Sequence, residues 1–491
     1  MDVSRLMVRK PVDQLIHSKE EGADGVTMHR LLGPWHLTAL GVGAIIGAGI
    51  FVITGTAAAQ YAGPGIMLSF LLGAIACGFV GLCYAEFASL IPVSGSAYTY
   101  AYATLGEFVA WIIGWDLILE YAMVSSTVAV GWSGYFVSLL GNMGITLPAQ
   151  MTAAPGTAVT LADGSQVAAW FNLPAFAIVA VISALLILGV RESARFNNII
   201  VALKVAVILV FLVAGVGYVS TANWVPFVPE NAGAFGEFGW SGILRGAAVV
   251  FFAYIGFDAV STAAQEARHP QRDMPIGILG SLVICSLLYV AVAAVLLGIV
   301  PYPQLNVADP IARGIDVIGM PWLAIIVKIG ALMGLTSVIL VFLYGQSRIF
   351  FRMSEDGLLP PALRVLHPRT RTPYLGHVVI GALVAVVAGL VPISILGELV
   401  SIGTLFAFII VCAAILYLRR TRPDLPRPFR CPAVPLVPIL GIACCLFLMI
   451  GLPLDTWLRL IAWLAVGLVI YFGYGMSRSV LAPQPRPGPA E

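Results

Sequence analysis

Charge is what this 491-residue chain has least of. Asp, Glu, Lys and Arg together make up 10% of it, against about 25% in an ordinary soluble protein. So few charged side chains cannot cover the surface of soluble domains adding up to this length. The net charge of +2 comes from basic residues scattered between apolar runs, which leaves no stripe for nucleic acid. The seven cysteines show no CxxC spacing, and six of them fall inside apolar runs, which argues against a structural metal or a disulfide framework. HExxH, GxSxG and GxxxxGK[ST] are missing, as are paired aspartates on facing spans and Cys/His clusters. A zinc peptidase, a serine hydrolase and a nucleotide-driven pump are thereby excluded, and neither enzyme activity, metal nor cofactor is expected.

Apolar residues are what fills the chain, at 60%. Runs long enough to cross about 30 Å of hydrocarbon recur along it, and the pattern predicts an all-α polytopic membrane protein of twelve spans. These cover residues 35–61, 65–91, 107–140, 173–190, 196–219, 242–264, 275–299, 321–351, 374–391, 396–418, 434–452 and 457–475. Most of the 26 Lys and Arg residues fall on one side of such a layout, while the long segment 141–172 on the other side has none. The excess of positive charge puts both termini in the cytoplasm, in the inner membrane of a cell. Residues 1–31 read as a polar cytoplasmic segment, not a cleavable leader. The tail 479–491, ending in APQPRPGPAE, reads as disordered.

The first span carries GVGAIIGAGIF at 41–51, four glycines in a stretch otherwise fit for lipid. Glycine costs a helix about 0.8–1 kcal/mol per residue relative to alanine, so the cluster needs a reason. A dinucleotide fingerprint fails, because the spacing is GxGxxxG and no acid follows until Glu86. The sixth span contains VVFFAYIGFDAVSTAAQE at 249–266, with a second glycine near midspan followed by Asp258. Spans one and six enter from opposite sides, and interrupted helices at matching places in two inverted halves point to a transport site. Close helix packing through GxxxG is the other reading; it accounts for Gly43 and Gly47 but not for the paired placement or the nearby charge.

These stretches, with YAEFASLIPVSGSAYTYAY at 84–102, WDLILEY at 115–121 and LYGQSRIFFRMSEDGLLP at 343–360, resemble the amino acid–polyamine–organocation (APC) superfamily, and within it the twelve-span bacterial form of the cationic amino acid transporter family. The SEDG segment departs from relatives that more often carry a basic residue in place of Glu355. The resemblance implies a five-plus-five inverted repeat, residues 32–219 and 220–430, with peripheral spans in 431–478. It also implies a substrate site at the two breaks. Backbone N–H groups at Ile46, Gly47, Ala48 and Gly49 would take the substrate carboxylate, and carbonyls at Phe252, Ala253, Tyr254 and Ile255 its ammonium.

Six further positions stand out. Lys204 lies roughly 13 Å into its span at 1.5 Å per residue. Either it snorkels to the cytoplasmic headgroups or it is a buried amine that gains and loses a proton. The resemblance implies the second, because proton-coupled relatives carry a fifth-span lysine where sodium-coupled ones bind sodium. Thr336 and Ser337 are its candidate supports, although both can bond their own helix instead. Glu120 lies near midplane with Asp116 one turn below; it matches an acid near the family's site. Asp258 either caps the broken helix or touches substrate. Together these features predict a secondary transporter in the lipid bilayer that brings an L-amino acid into the cytoplasm with a proton. The alternative is an amino acid exchanger without proton coupling.

Overall fold

The computed structural model of the protein describes residues 8–10, 32–92, 96–160, 165–189, 194–367 and 372–481. Most of the polar segment 1–31 and the tail from 482 onward lie outside the described residues. The α-helices of eight residues or more are α1 (Pro34–Ile45), α2 (Ile66–Leu90), α3 (Ser96–Thr104), α4 (Glu107–Asn142), α5 (Leu173–Ile187), α6 (Ala194–Val216) and α7 (Gly239–Val250). They continue with α8 (Pro270–Ile299), α9 (Pro310–Val317), α10 (Pro321–Glu355), α11 (Tyr374–Leu390), α12 (Ile393–Thr421), α13 (Leu436–Ile450) and α14 (Leu454–Ile470). Proline stands in the first turn of α1, α5, α8, α9 and α10, where its missing N–H costs no helical bond.

Among the described residues, 8 helical runs are long and apolar enough to cross a membrane, and three shorter apolar helices, α5, α11 and α13, accompany them. The run Gly49–Leu90 is counted as one, but Gly63 (φ +56°) and a single tight turn at Gly63–Gly65 divide it into two helices. Burial separates centre from periphery. In the runs Glu107–Asn142 and Gly239–Ser261, 83% and 89% of the most apolar window is enclosed by protein, against 22% in Leu454–Arg478. α4 and the α7 segment therefore form the middle of the bundle, and α14 faces outward.

The packing partners follow a pattern: α2 lies on α8, α4 on α10, and α5 on α11. α12 closes the other side of α4, and α8 also runs along α1. In the segment 141–172, which the sequence leaves as a plain connection, β1 (Ala158–Thr160) and β2 (Gln166–Ala168) pair as an antiparallel ribbon. Asn172 then caps α5 by accepting from Ala175 N–H, while its side chain also accepts from Ser133 of α4 at 2.7 Å.

Candidate functional site

α1 stops at Ile45 because the next residue, Ile46, turns to an extended conformation (φ −70°, ψ 101°). The chain resumes as a wide π-turn at Gly49–Ile53. The first bond of this second half-helix runs from Phe51 N–H to Gly47 O at 3.3 Å, so the N–H groups of Gly47 to Ile50 come ahead of it at a helix N-terminus. α7 breaks in a comparable way. A tight turn, Phe251–Tyr254, leads to extended Ile255 (ψ 134°) and to Gly256 at φ +123°, a conformation that favours glycine. Asp258 steadies the break by accepting from Gly256 N–H at 3.2 Å, and a tight helix, Asp258–Glu266, follows.

The two breaks cross in backbone contact. A Cβ on Gly49 would fall 2.3 Å from Ala253 Cα, and one on Gly256 would fall 2.8 Å from the Ala44 carbonyl carbon. Packing therefore explains Gly49 and Gly256. Gly47 differs: the nearest atom to a Cβ there is Val338 Cγ2 at 3.4 Å, an ordinary contact.

Between these elements lies a small cavity lined by Ala44, Ile45, Gly47, Val124, Val128, Phe252, Ile255, Val338 and Phe342. Gly47, Phe252 and Ile255 are thus brought together on it, while Ile46, Ala48, Gly49, Ala253 and Tyr254 are not among its lining residues. Tyr254 turns away, donating its hydroxyl to Phe70 O at 2.7 Å beside the Tyr289 ring. Glu120 is buried one turn below Val124, off the cavity wall, with its Oε1 unbonded among the described residues. The sequence reading missed Val124 and Val128 of α4 and Val338 and Phe342 of α10. Only their i, i+4 spacing marks them as sharing a face, and that holds for much of any apolar span.

Lys204 on α6 is fully buried, and its Nζ donates to Gly43 O at 2.7 Å and to Ile46 O at 3.1 Å. It does not snorkel. A cation at these last carbonyls of α1 meets the negative end of the helix dipole. Tyr289 of α8 donates to Ile45 O at 2.8 Å, so the frayed helix end is held by two side chains. The lysine stem runs along Gly334 of α10, where a Cβ would come 3.0 Å from Lys204 Cγ. Thr336 donates to Leu332 O and accepts from Trp132, and Ser337 donates to Gly334 O, so both hydroxyls serve their own helix.

Contacts cross the bundle on either side of the cavity. On the side of the chain's N-terminus, Lys10 pairs with Asp356 at 2.5 Å. Tyr98 donates to the other oxygen of Asp356 at 2.6 Å, and Arg9 meets the Tyr417 hydroxyl. Nearby, the buried carboxylate of Glu86 accepts from Arg419, Arg427 and the Cys431 N–H, which accounts for its position in α2. On the opposite side, Tyr135 donates to Phe51 O at 2.8 Å, and Lys328 donates to Asn142 at 2.6 Å beside Asp309. No group of three or more His, Cys, Asp or Glu side chains suited to a metal occurs among the described residues.

Comparison with known proteins bears on this geometry. Residues 32–471 match the family model described as amino acid permease. The branched-chain amino acid permease BcaP of Bacillus subtilis (strain 168) is 50% identical over 459 residues, 93% of this chain and 95% of that one. The methylthioribose transporter of the same organism is 45% identical over 480 residues, covering 98% of this chain and 100% of its own. The vacuolar cationic amino acid transporter 4 of Arabidopsis thaliana is 37% identical over 426 residues, 86% of this chain and 68% of that one.

Proposed function

From the premise that the chain belongs to the amino acid permease family of the APC superfamily, and is a multi-pass amino acid transporter and not an enzyme, we propose that it imports aliphatic, above all branched-chain, L-amino acids together with a proton by alternating access. The observation that carries this reading is the composition of the cavity. Its walls hold two backbone breaks and aliphatic or aromatic side chains, with no ionisable side chain among them. The N–H groups from Gly47 onward suit a carboxylate, and the carbonyls around Phe252 suit an ammonium. Val124, Val128, Val338 and Phe342 then leave an apolar subsite for the side chain. In this reading Glu120, off the cavity wall, tunes the ammonium end from below, and Asp258 holds the sixth helix at its break.

The packing of α2 on α8, α4 on α10 and α5 on α11 pairs each span with the one five later, which supports a five-plus-five inverted repeat over 32–219 and 220–430 within twelve crossings. The basic residues of the N-terminal side support cytoplasmic termini. Proton coupling rests on Lys204. Charged, its amine holds Gly43 O and Ile46 O at the edge of the substrate site; neutral, it loses the charge that strengthens both bonds, and the break is freed to move. Exchange without a proton is the competing mechanism, in which Lys204 only ties α6 to α1.

The test of substrate class is competition for uptake by purified protein in liposomes. Leucine, isoleucine and valine are expected to displace labelled leucine, while arginine, lysine and methylthioribose leave it in place. Displacement by arginine or methylthioribose at concentrations as low as those of leucine would contradict the aliphatic reading.

A further inference from the structure

Asp116 is fully buried one turn below Glu120, and neither of its carboxyl oxygens has a hydrogen-bond partner among the described residues. α12 faces it with Gly403, where a Cβ would stand 3.2 Å from Asp116 Oδ1. On either side of that glycine the hydroxyls of Ser401 and Thr404 are fully buried and, among the described residues, also without a hydrogen-bond partner. The seam between α4 and α12 thus gathers carboxyl and hydroxyl oxygens whose hydrogen-bonding capacity is unused.

Among the described residues, no Lys or Arg of the neighbouring helices pairs with Asp116. α10 brings Gln346, which donates to Ile118 O at 3.1 Å, and α14 brings Trp463, stacked on Trp115. α3 carries Tyr100, the broken sixth helix carries Asp258, and α11, which meets α4 where Ser126 approaches Val384 O, carries buried His377 nearer its first turn. A bare carboxylate in such a place pays a heavy desolvation penalty relative to water. Two carboxyls one turn apart without a counter-ion cannot both ionise, so the pair holds a proton. A carboxylic acid, by contrast, is neutral and avoids that cost.

We propose that Asp116 is a proton-binding site of the transport cycle, separate from Lys204: it is protonated while α4 and α12 are packed together and releases the proton toward the N-terminal side when they part. Its place in the cycle rests on the proton-coupled reading above; its protonation does not. Lys204, on α6 and bonded to α1, shares no helix with the α4–α12 seam.

Two measurements on liposome-embedded protein test the proposal. In infrared spectra at neutral pH, the wild type is expected to show the carbonyl stretch of a protonated carboxylic acid, part of which is lost in Asp116→Asn. In transport, acidifying the liposome interior is expected to slow net leucine uptake by the wild type, and Asp116→Asn to flatten that dependence while leaving leucine counterflow within about twofold. If that variant does not accumulate as folded protein, Asp116→Glu keeps the carboxyl and is expected to shift the band; a band at the wild-type frequency in Asp116→Glu overturns the proposal. An unchanged carboxylic band in Asp116→Asn overturns the proposal, and so does a band that sodium removes from the wild type, which would mark a sodium site. A lost band with an unaltered interior-pH profile assigns Asp116 a fixed structural proton and overturns its role in the cycle. Wild-type uptake indifferent to any pH gradient overturns that role too, but through failure of proton coupling, recognisable because the infrared result stands.

Discussion

The amine of Lys204 lies 2.7 Å from the Gly43 carbonyl and 3.1 Å from that of Ile46, so a side chain of α6 holds the end of α1 at the edge of the cavity. Helix end, amine and cavity are one unit, so in the proposed mechanism what happens to the amine is felt at the cavity. The substitution Lys204→Ala removes the titrating group and leaves the N–H groups after Gly47 in place. It is expected to abolish accumulation driven by a pH gradient while some counterflow survives. Losing hydrogen bonds from a charged donor costs about 1.5–3 kcal/mol each, so the thermal midpoint is also expected to fall. Gradient-driven accumulation by Lys204→Ala at the wild-type level would place the coupling proton elsewhere.

Two glycines of the same break are expected to respond differently. Gly49 abuts Ala253 backbone, so Gly49→Val forces main chain apart and should lower stability by more than the usual 1–3 kcal/mol of overpacking. Gly47→Ala meets only Val338 at contact distance; it should fold, and weaken leucine binding by intruding on the carboxylate's approach. Size-exclusion profiles and binding by the folded fraction separate the outcomes. Equal loss of folded protein in both variants would contradict the distinction.

Val338 is expected to set side-chain size. Val338→Ala removes two methyl groups from the cavity wall. It should move preference from valine toward larger side chains by about tenfold, the scale of a methylene or two in an apolar pocket. Ratios of kcat/KM for valine and phenylalanine measure it, and an unchanged ratio would remove Val338 from the subsite.

Glu120→Gln tests the acid below the cavity. With Glu120 off the wall, the variant is expected to slow transport, with a loss of about 1–3 kcal/mol in kcat/KM, and to leave the ranking of substrates as it was. A ranking that shifts between neutral and cationic amino acids would mean that the carboxylate reaches the substrate side chain.

How far the sequence alone leads differs from residue to residue. The breaks are legible because glycine in an apolar helix is costly enough to need a cause, and Lys204 is legible because an amine deep in a span is rarer still. The division of labour among the glycines is not, since Gly47 and Gly49 look alike until Val338 and Ala253 are seen beside them. Val124, Val128 and Val338 are silent for a related reason: aliphatic residues face lipid, core and cavity alike, and only the fold says which. Tyr254 shows the same limit, because the sequence sets it at the break but does not tell that its ring turns away to bond Phe70 O on α2. Asp356 is visible in SEDG, but its partner Lys10 lies hundreds of residues away in a polar segment that shows no pattern.

The measurement that bears hardest on proton-coupled import at this site is leucine accumulation by purified wild-type protein in sodium-free liposomes with an acidic exterior and nothing preloaded. The cavity and the Lys204 contacts predict concentration of leucine inside above its outside level, abolished when an ionophore collapses the pH gradient. Uptake that never exceeds equilibrium, or that requires an amino acid loaded inside and ignores the gradient, would contradict proton coupling and leave exchange as the mechanism.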